Sequence, residues 1–237
     1  MKIDTKFRSE APELMDDFEM EGEILRDALD KIASINQLLG GNKVTLDGIK
    51  TLIKSKPKDQ IIRIIDIGCG NGDMLRALAN FGQKNGLNFL LKGIDANQFT
   101  INHAQSLSLN YPNISYECKD IFDDSNKPEE CDIMICTLTL HHFKNEEIIY
   151  LLKNFKKSAK LGIVVNDLQR SALAYRLFQA LCFVFGLNSM SREDGLVSIL
   201  RGFKREDLIE YSKALNLKHS FIKWKWAFRY QWIIKTT

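Results

Sequence analysis

Residues 61–73 read Ile61-Ile62-Arg63-Ile64-Ile65-Asp66-Ile67-Gly68-Cys69-Gly70-Asn71-Gly72-Asp73. The first seven are mostly β-branched and stop at a glycine, which predicts a buried strand. Glycines then alternate at 68, 70 and 72, and residues 74–81 follow with helical spacing. Without a Cβ, such a turn is tight and lets backbone N–H groups approach a ligand at the start of the helix. A nicotinamide dinucleotide fingerprint would place its third glycine at position 73. That position is Asp73, whose carboxylate would also repel a pyrophosphate. A cofactor without phosphates suits this loop better.

The alternation continues downstream. Strands are expected over residues 89–94, 114–118, 131–138 and 162–166, with helices over 98–109 and 146–157 between them. Strand–helix alternation of this kind implies a doubly wound α/β fold with a mostly parallel sheet. A helix over 204–215 is followed by two adjoining strands, 218–224 and 227–234. They suggest an antiparallel hairpin at the sheet edge and bring the strands to seven. Upstream, Leu14, Phe18, Ile24, Leu25, Leu29, Ile32, Ile35 and Leu38 recur at helical spacings, predicting one helix over 12–40 stopped by Gly40-Gly41. A second helix carries Leu46, Ile49, Leu52 and Ile53 and ends before Pro57. The expected organisation is an N-terminal helical cap over 1–57 and a main domain over 58–237. The latter carries an inserted substrate-recognition segment at about 168–203.

Bulk properties narrow the function. With 45% hydrophobic and 27% charged residues, the 237-residue chain reads as an ordinary soluble globular protein. Its net charge of +3, with no dense Lys/Arg block, argues against a nucleic-acid partner. The five cysteines are odd in number and contain no CxxC pair, so a zinc site and a disulfide framework are both disfavoured. Free thiols point to a reducing, cytoplasmic setting. Residues 1–10 are polar, so no secretory signal is expected. The apolar run near 177–187 is too short to cross a bilayer, which takes about 20 residues.

The glycine loop resembles the first motif of class I S-adenosylmethionine-dependent methyltransferases, acid-x-Gly-x-Gly-x-Gly. That resemblance implies a Rossmann-like fold and S-adenosylmethionine as cofactor. Gly68, Cys69, Gly70 and Gly72 would line its methionine and ribose portion, and Asp66 would contact the amino end. Asp95 closes the second strand, where a carboxylate can accept from both ribose hydroxyls, with Ala96 beside it. Asp120-Ile121 matches the position where an acid meets the adenine amino group and an apolar residue packs on the ring. Thr137 closes the fourth strand at the same edge.

Residues 136–143, Cys136-Thr137-Leu138-Thr139-Leu140-His141-His142-Phe143, carry a Leu-His-His pattern that resembles quinone-biosynthesis-type small-molecule methyltransferases. The ends of parallel strands are where open α/β sheets bind ligands. A neutral imidazole there can take a proton from a hydroxyl, and His142 is the candidate base, with Asp167 at the fifth strand's end as rival or orienting acid. His141 reads as pocket-shaping. Metal binding is not expected, because neighbouring residues rarely chelate together. Tyr175, Arg192 and Arg201 are candidate acceptor contacts, the arginines for an anionic group. Asn166-Asp167-Leu168, Ser171, Asp194-Gly195 and 226–230 resemble bacterial enzymes associated with aromatic-polyketide pathways. The implied reaction is methyl transfer to a small aromatic or polyketide-like hydroxyl. C-methylation of a quinone-like or lipophilic acceptor, or a non-catalytic cofactor-binding partner protein, remains open. A small-molecule substrate, no nucleic acid, no stable membrane insertion, and a monomer or homodimer complete the expectation.

Overall fold

The computed structural model describes residues 3–123 and 129–236. Two helices, α1 (Glu23–Leu38) and α2 (Gly41–Ile53), precede the first strand, β1 (Ile61–Ile67). Then follow α3 (Asp73–Asn85), β2 (Asn88–Asp95), α4 (Gln98–Leu107), β3 (Ile114–Cys118), β4 (Cys131–Thr137), α5 (Asn145–Ser158) and β5 (Ala159–Leu168). Three more helices, α6 (Ala172–Val184), α7 (Ser189–Arg201) and α8 (Arg205–Ala214), lead to β6 (Ser220–Lys225) and β7 (Arg229–Lys235).

The strands form one seven-stranded sheet in the order β3-β2-β1-β4-β5-β7-β6. β3 through β5 pair in parallel, while β7 runs antiparallel between β5 and β6. Side chains alternate across each strand, so β1 feeds two cores. Ile62 and Ile64 pack on one face with Ile49, Leu75 and Leu78; Ile65 and Ile67 pack on the other with Leu151, Phe155 and Trp232. The chain winds from β1 outward to β3, then returns to β4 on the opposite side of β1. That reversal opens a crevice at the strands' carboxyl ends, where sheets of this type bind ligands.

One element departs from the sequence reading. The expected helix over 12–40 is a short 3-10 turn at Leu14–Asp16 and then α1 from Glu23. The backbone N–H groups of Leu14 and Met15 donate to the two carboxylate oxygens of Asp194 on α7, at 2.7 and 3.0 Å. Those donors are drawn to a partner 180 residues away, and Gly22, at φ 96°, separates the turn from α1. Residues 191–195, polar in sequence, belong to α7, and Asp194 is buried.

Candidate active site

A cavity of about 1310 Å³ lies over the carboxyl ends of β1, β2 and β4. The glycine loop forms its floor. Gly68 is left-handed (φ 66°), and a Cβ there would lie 2.2 Å from Thr139 Cγ2. Gly72 (φ 77°) would place a Cβ 2.1 Å from the Tyr116 hydroxyl. Both positions require glycine on sterics alone.

Two acids stand over the loop. Asp95 is held by its own backbone neighbours: its Oδ2 accepts from Gly70 N and its Oδ1 from Asn97 N, both at 3.1 Å. Burial raises its carboxyl above the ordinary range against the pull of those donors. Asp66 is 2% exposed, and its Oδ1 meets no hydrogen-bond partner among the described residues. Burial, then the charges of Asp73 and Asp95, push its carboxyl well up. A buried acceptor left unpaired is costly, and a ligand that donates to it removes the cost. Burial likewise raises the Cys69 thiol, and the neighbouring charges of Asp95 and Asp66 act in the same direction.

Gly68, Cys69, Gly70, Asp66, Asp95, Ala96, Asp120, Ile121 and Thr137 all line this cavity, whereas Gly72 supports the loop from behind. Asp120 is exposed at the rim, where its Oδ1 accepts from Phe122 N at 2.9 Å. Thr137 shares a hydrogen bond with Thr45 of α2 at 2.9 Å.

The opposite wall is built after β4. Leu138 turns the chain with a positive φ of 56°, and a 3-10 turn at Leu140–His142 presents two imidazoles. They take different partners. His141 is buried, and its Nδ1 lies 2.6 Å from Asp167 Oδ1. His142, half-buried, has its Nδ1 2.7 Å from Asp16 Oδ1. Asp167 therefore orients His141, not His142; it lies beneath the wall, 1% exposed. Both Nε2 atoms face Glu13, at 3.8 Å from His141 and 3.9 Å from His142. Burial raises the Glu13 carboxyl, opposed by His142, Ser198 and Arg201. Burial also works against Asp16, but hydrogen bonds with His142, Glu13 N and Arg201 outweigh it and hold that carboxyl well below the usual range.

Glu13, His141 and His142 could each offer a ligand atom to one metal ion. The sequence argument against a metal looked for further ligands only at short spacing around the histidine pair, and Glu13 comes from 128 residues earlier. Arg201 already brings a positive charge to this point, with its Nε 3.6 Å from Glu13 Oε1 and its Nη1 2.6 Å from Asp16 Oδ2. Its remaining donors go to the carbonyls of Ala11, His141 and His142. Arg201 thus lines the cavity as a strut, with its donors taken. Tyr175 and Arg192 do not line the cavity, because α6 and α7 turn those side chains away from it; Arg192 is exposed. Sequence reading gave Glu13 and Asp16 no role within the expected helix, and Asp194 entered it only as part of a resemblance, with no contact assigned.

Residues 64–162 match the family model described as methyltransferase domain. Over that stretch the chain is similar to a methyltransferase domain. Its glycine loop and histidine turn both fall inside the matched stretch. Among curated proteins, the ubiquinone biosynthesis O-methyltransferase of Coxiella burnetii (strain RSA 493 / Nine Mile phase I) is 29% identical over 140 residues, 56% of this chain and 53% of the relative. The chain thus spans about half the length of the curated relatives it matches. The plantazolicin methyltransferase BpumL, solved with SAH, superposes with a TM-score of 0.64 at 16% identity, over 90% of this chain and 93% of that one. Magnesium protoporphyrin IX methyltransferase from Synechocystis PCC 6803, also with SAH, gives 0.53 at 18% identity, over 83% and 82%. The chain shares the Rossmann-like fold of these structures. No helix among the described residues is long and apolar enough to cross a membrane.

Proposed function

We propose that this chain transfers a methyl group from S-adenosylmethionine to the hydroxyl oxygen of a small aromatic or polyketide-like acceptor. The observation that carries the reading is Asp66: a buried carboxylate with an unpaired oxygen, at the foot of a glycine loop that leaves no room for a Cβ at Gly68 or Gly72. The cofactor's ammonium group supplies the missing donor. The Gly68–Gly70 backbone holds its methionine and ribose portion, Asp95 and Ala96 its ribose, and Asp120 and Ile121 its adenine. Once bound, its sulfonium supplies an electrophilic methyl group.

The chain's own part is alignment and proton removal. Met15, Phe18, Leu25, Leu29 and Phe178 give the cavity an apolar wall suited to a ring. His142 serves as base. A carboxylate on Nδ1 keeps the proton there and leaves the Nε2 lone pair, 3.9 Å from Glu13 Oε2, to accept one from the acceptor hydroxyl. Asp167 acts through His141, fixing the turn on which His142 sits. A base of this kind contributes about 10²–10⁴-fold.

Incubation with methyl-labelled S-adenosylmethionine and a panel of phenols, catechols and enolic pyrones tests the reading. Labelled O-methyl product and S-adenosylhomocysteine are expected. A protein that binds neither form of the cofactor by calorimetry refutes it.

A further inference from the structure

Arginines crowd the cavity, and most are saturated. Arg8 donates to the carbonyls of His141, Phe143 and Arg201 and to Asn145 Oδ1. Arg170 donates to the carbonyls of Thr5 and Gly202 and forms a 2.9 Å pair with Asp207. Arg201 is engaged as described above. Arg229 is the exception. It is 3% exposed and lines the cavity, yet its Nε and Nη1 meet no hydrogen-bond partner among the described residues.

Its place in the sheet explains the direction it takes. Arg229 opens β7 and pairs with Leu168 at the carboxyl end of β5. Side chains two apart share a face, and Gln231 on that face reaches Val44 O of α2. Arg229 therefore lies on the α2 side of the sheet, one step nearer the cavity. The acids that act on it electrostatically, Asp167 and Asp73, spend their hydrogen bonds elsewhere. Asp167 accepts from His141 and Leu168 N, and Asp73 Oδ2 accepts from Asn42 at 2.8 Å. Burial, against the pull of those two acids, brings the guanidinium down to about 10. A buried cation without hydrogen bonds is costly, and an anion placed against it removes that cost.

We propose that Arg229 is the anion receptor of this cavity and that its ligand is a carboxylate on a small molecule bound there. The inference rests on the methyltransferase reading of the cavity. A planar monoanion matches a guanidinium, whereas a phosphate dianion would meet Asp66, Asp73 and Asp95 in the same space. Two molecules can bring that carboxylate: the amino-acid end of the cofactor, or an acidic acceptor.

Calorimetry on wild type, Arg229→Gln and Arg229→Lys separates them. The probes are S-adenosylhomocysteine; 5′-methylthioadenosine, which lacks the amino-acid end; and 4-hydroxybenzoate with its methyl ester, titrated in the presence of S-adenosylhomocysteine. Arg229→Gln is expected to weaken one carboxylate probe at least tenfold, leave its carboxylate-free counterpart within twofold, and be partly rescued by Arg229→Lys. Loss on S-adenosylhomocysteine assigns the carboxylate to the cofactor, and loss on 4-hydroxybenzoate assigns it to the acceptor. If wild type binds methylthioadenosine and Arg229→Gln moves neither carboxylate probe more than twofold, the proposal is overturned while the methyltransferase reading stands. If wild type binds no adenosyl probe at all, the methyltransferase reading fails, and the proposal with it. Should Arg229→Gln not fold by circular dichroism, wild type is titrated with S-adenosylhomocysteine against its methyl ester and with the benzoate pair. A tenfold preference for either acid supports the proposal, and equal binding in both pairs overturns it.

Discussion

Replacing Asp66 with Asn should move stability and cofactor affinity in opposite directions. The amide keeps the shape of the carboxylate and loses its charge. A hydrogen bond to a charged group is worth about 1.5–3 kcal/mol, and each 1.4 kcal/mol is tenfold in affinity. S-adenosylhomocysteine should therefore bind about 10- to 150-fold more weakly to Asp66→Asn. Stability should change the other way. Burial and two neighbouring acids raise the Asp66 carboxyl well above its ordinary range. An acid whose folded value is raised binds its proton more tightly in the fold than in the unfolded chain. Its penalty is absent below the unfolded value, about 3.9, and grows as pH rises through the folded one. Asn removes that penalty, so the ligand-free variant should melt higher than wild type at pH 7, with the gap closing towards pH 4. A gain of about 1 kcal/mol would show as roughly 2–4 °C in a chain of this size. Binding follows the charged form, so wild-type affinity should fall as pH drops through the raised value, while the variant's stays flat. Calorimetry and thermal melts across pH 4.5–8 read both. An Asp66→Asn protein that binds within twofold of wild type, or that melts lower at pH 7, refutes the reasoning.

Other positions give independent tests. Gly68→Ala forces a left-handed alanine whose Cβ would lie 2.2 Å from Thr139, and should cost about 1–3 kcal/mol in urea unfolding as well as cofactor binding; an unchanged midpoint would refute the steric requirement for glycine there. Asp95→Ala should weaken S-adenosylhomocysteine by about 1.5–3 kcal/mol and also lower the melting temperature, since Gly70 N and Asn97 N lose their acceptor. His142→Asn should slow turnover about 10²-fold or more with cofactor affinity unchanged; near-normal turnover at pH 7 reduces His142 to a wall residue. Asp16→Asn should destabilise the protein at pH 7. The Asp16 carboxyl is depressed in the fold, so its contribution is full above about 3.9 and is lost as pH falls through the folded value. The gap between variant and wild type in urea midpoint should thus be smaller at pH 3 than at pH 7, and a constant gap would exclude the ionic contribution.

The sequence by itself determined the sheet and the glycine loop. Residues 61–73 carry their own instructions: isoleucines that favour a buried strand, glycines that alone accept the turn, and amphipathic spacing after it. These are local preferences, repeated down the chain by β2 to β5, so a mostly parallel sheet followed from strand–helix alternation. Asp66 and Asp95 were legible because they lie at the carboxyl ends of strands that the topology gathers. Tertiary structure decided the rest. Whether residues 12–22 continue a helix depended on Asp194, and that carboxylate takes the backbone donors of Leu14 and Met15. Which acid serves which histidine was likewise undecidable along the chain. Asp16 and Asp167 stand 126 and 26 residues from their imidazoles, and only packing sets those distances. Among the arginines, sequence offered Arg192 and Arg201 as anion contacts. The fold turned one to solvent, filled the other with carbonyl oxygens, and left Arg229 buried with donors to spare. A charged side chain's role depends on which acceptors reach it once water is excluded, and that is a property of the packed molecule, not of any stretch of its sequence.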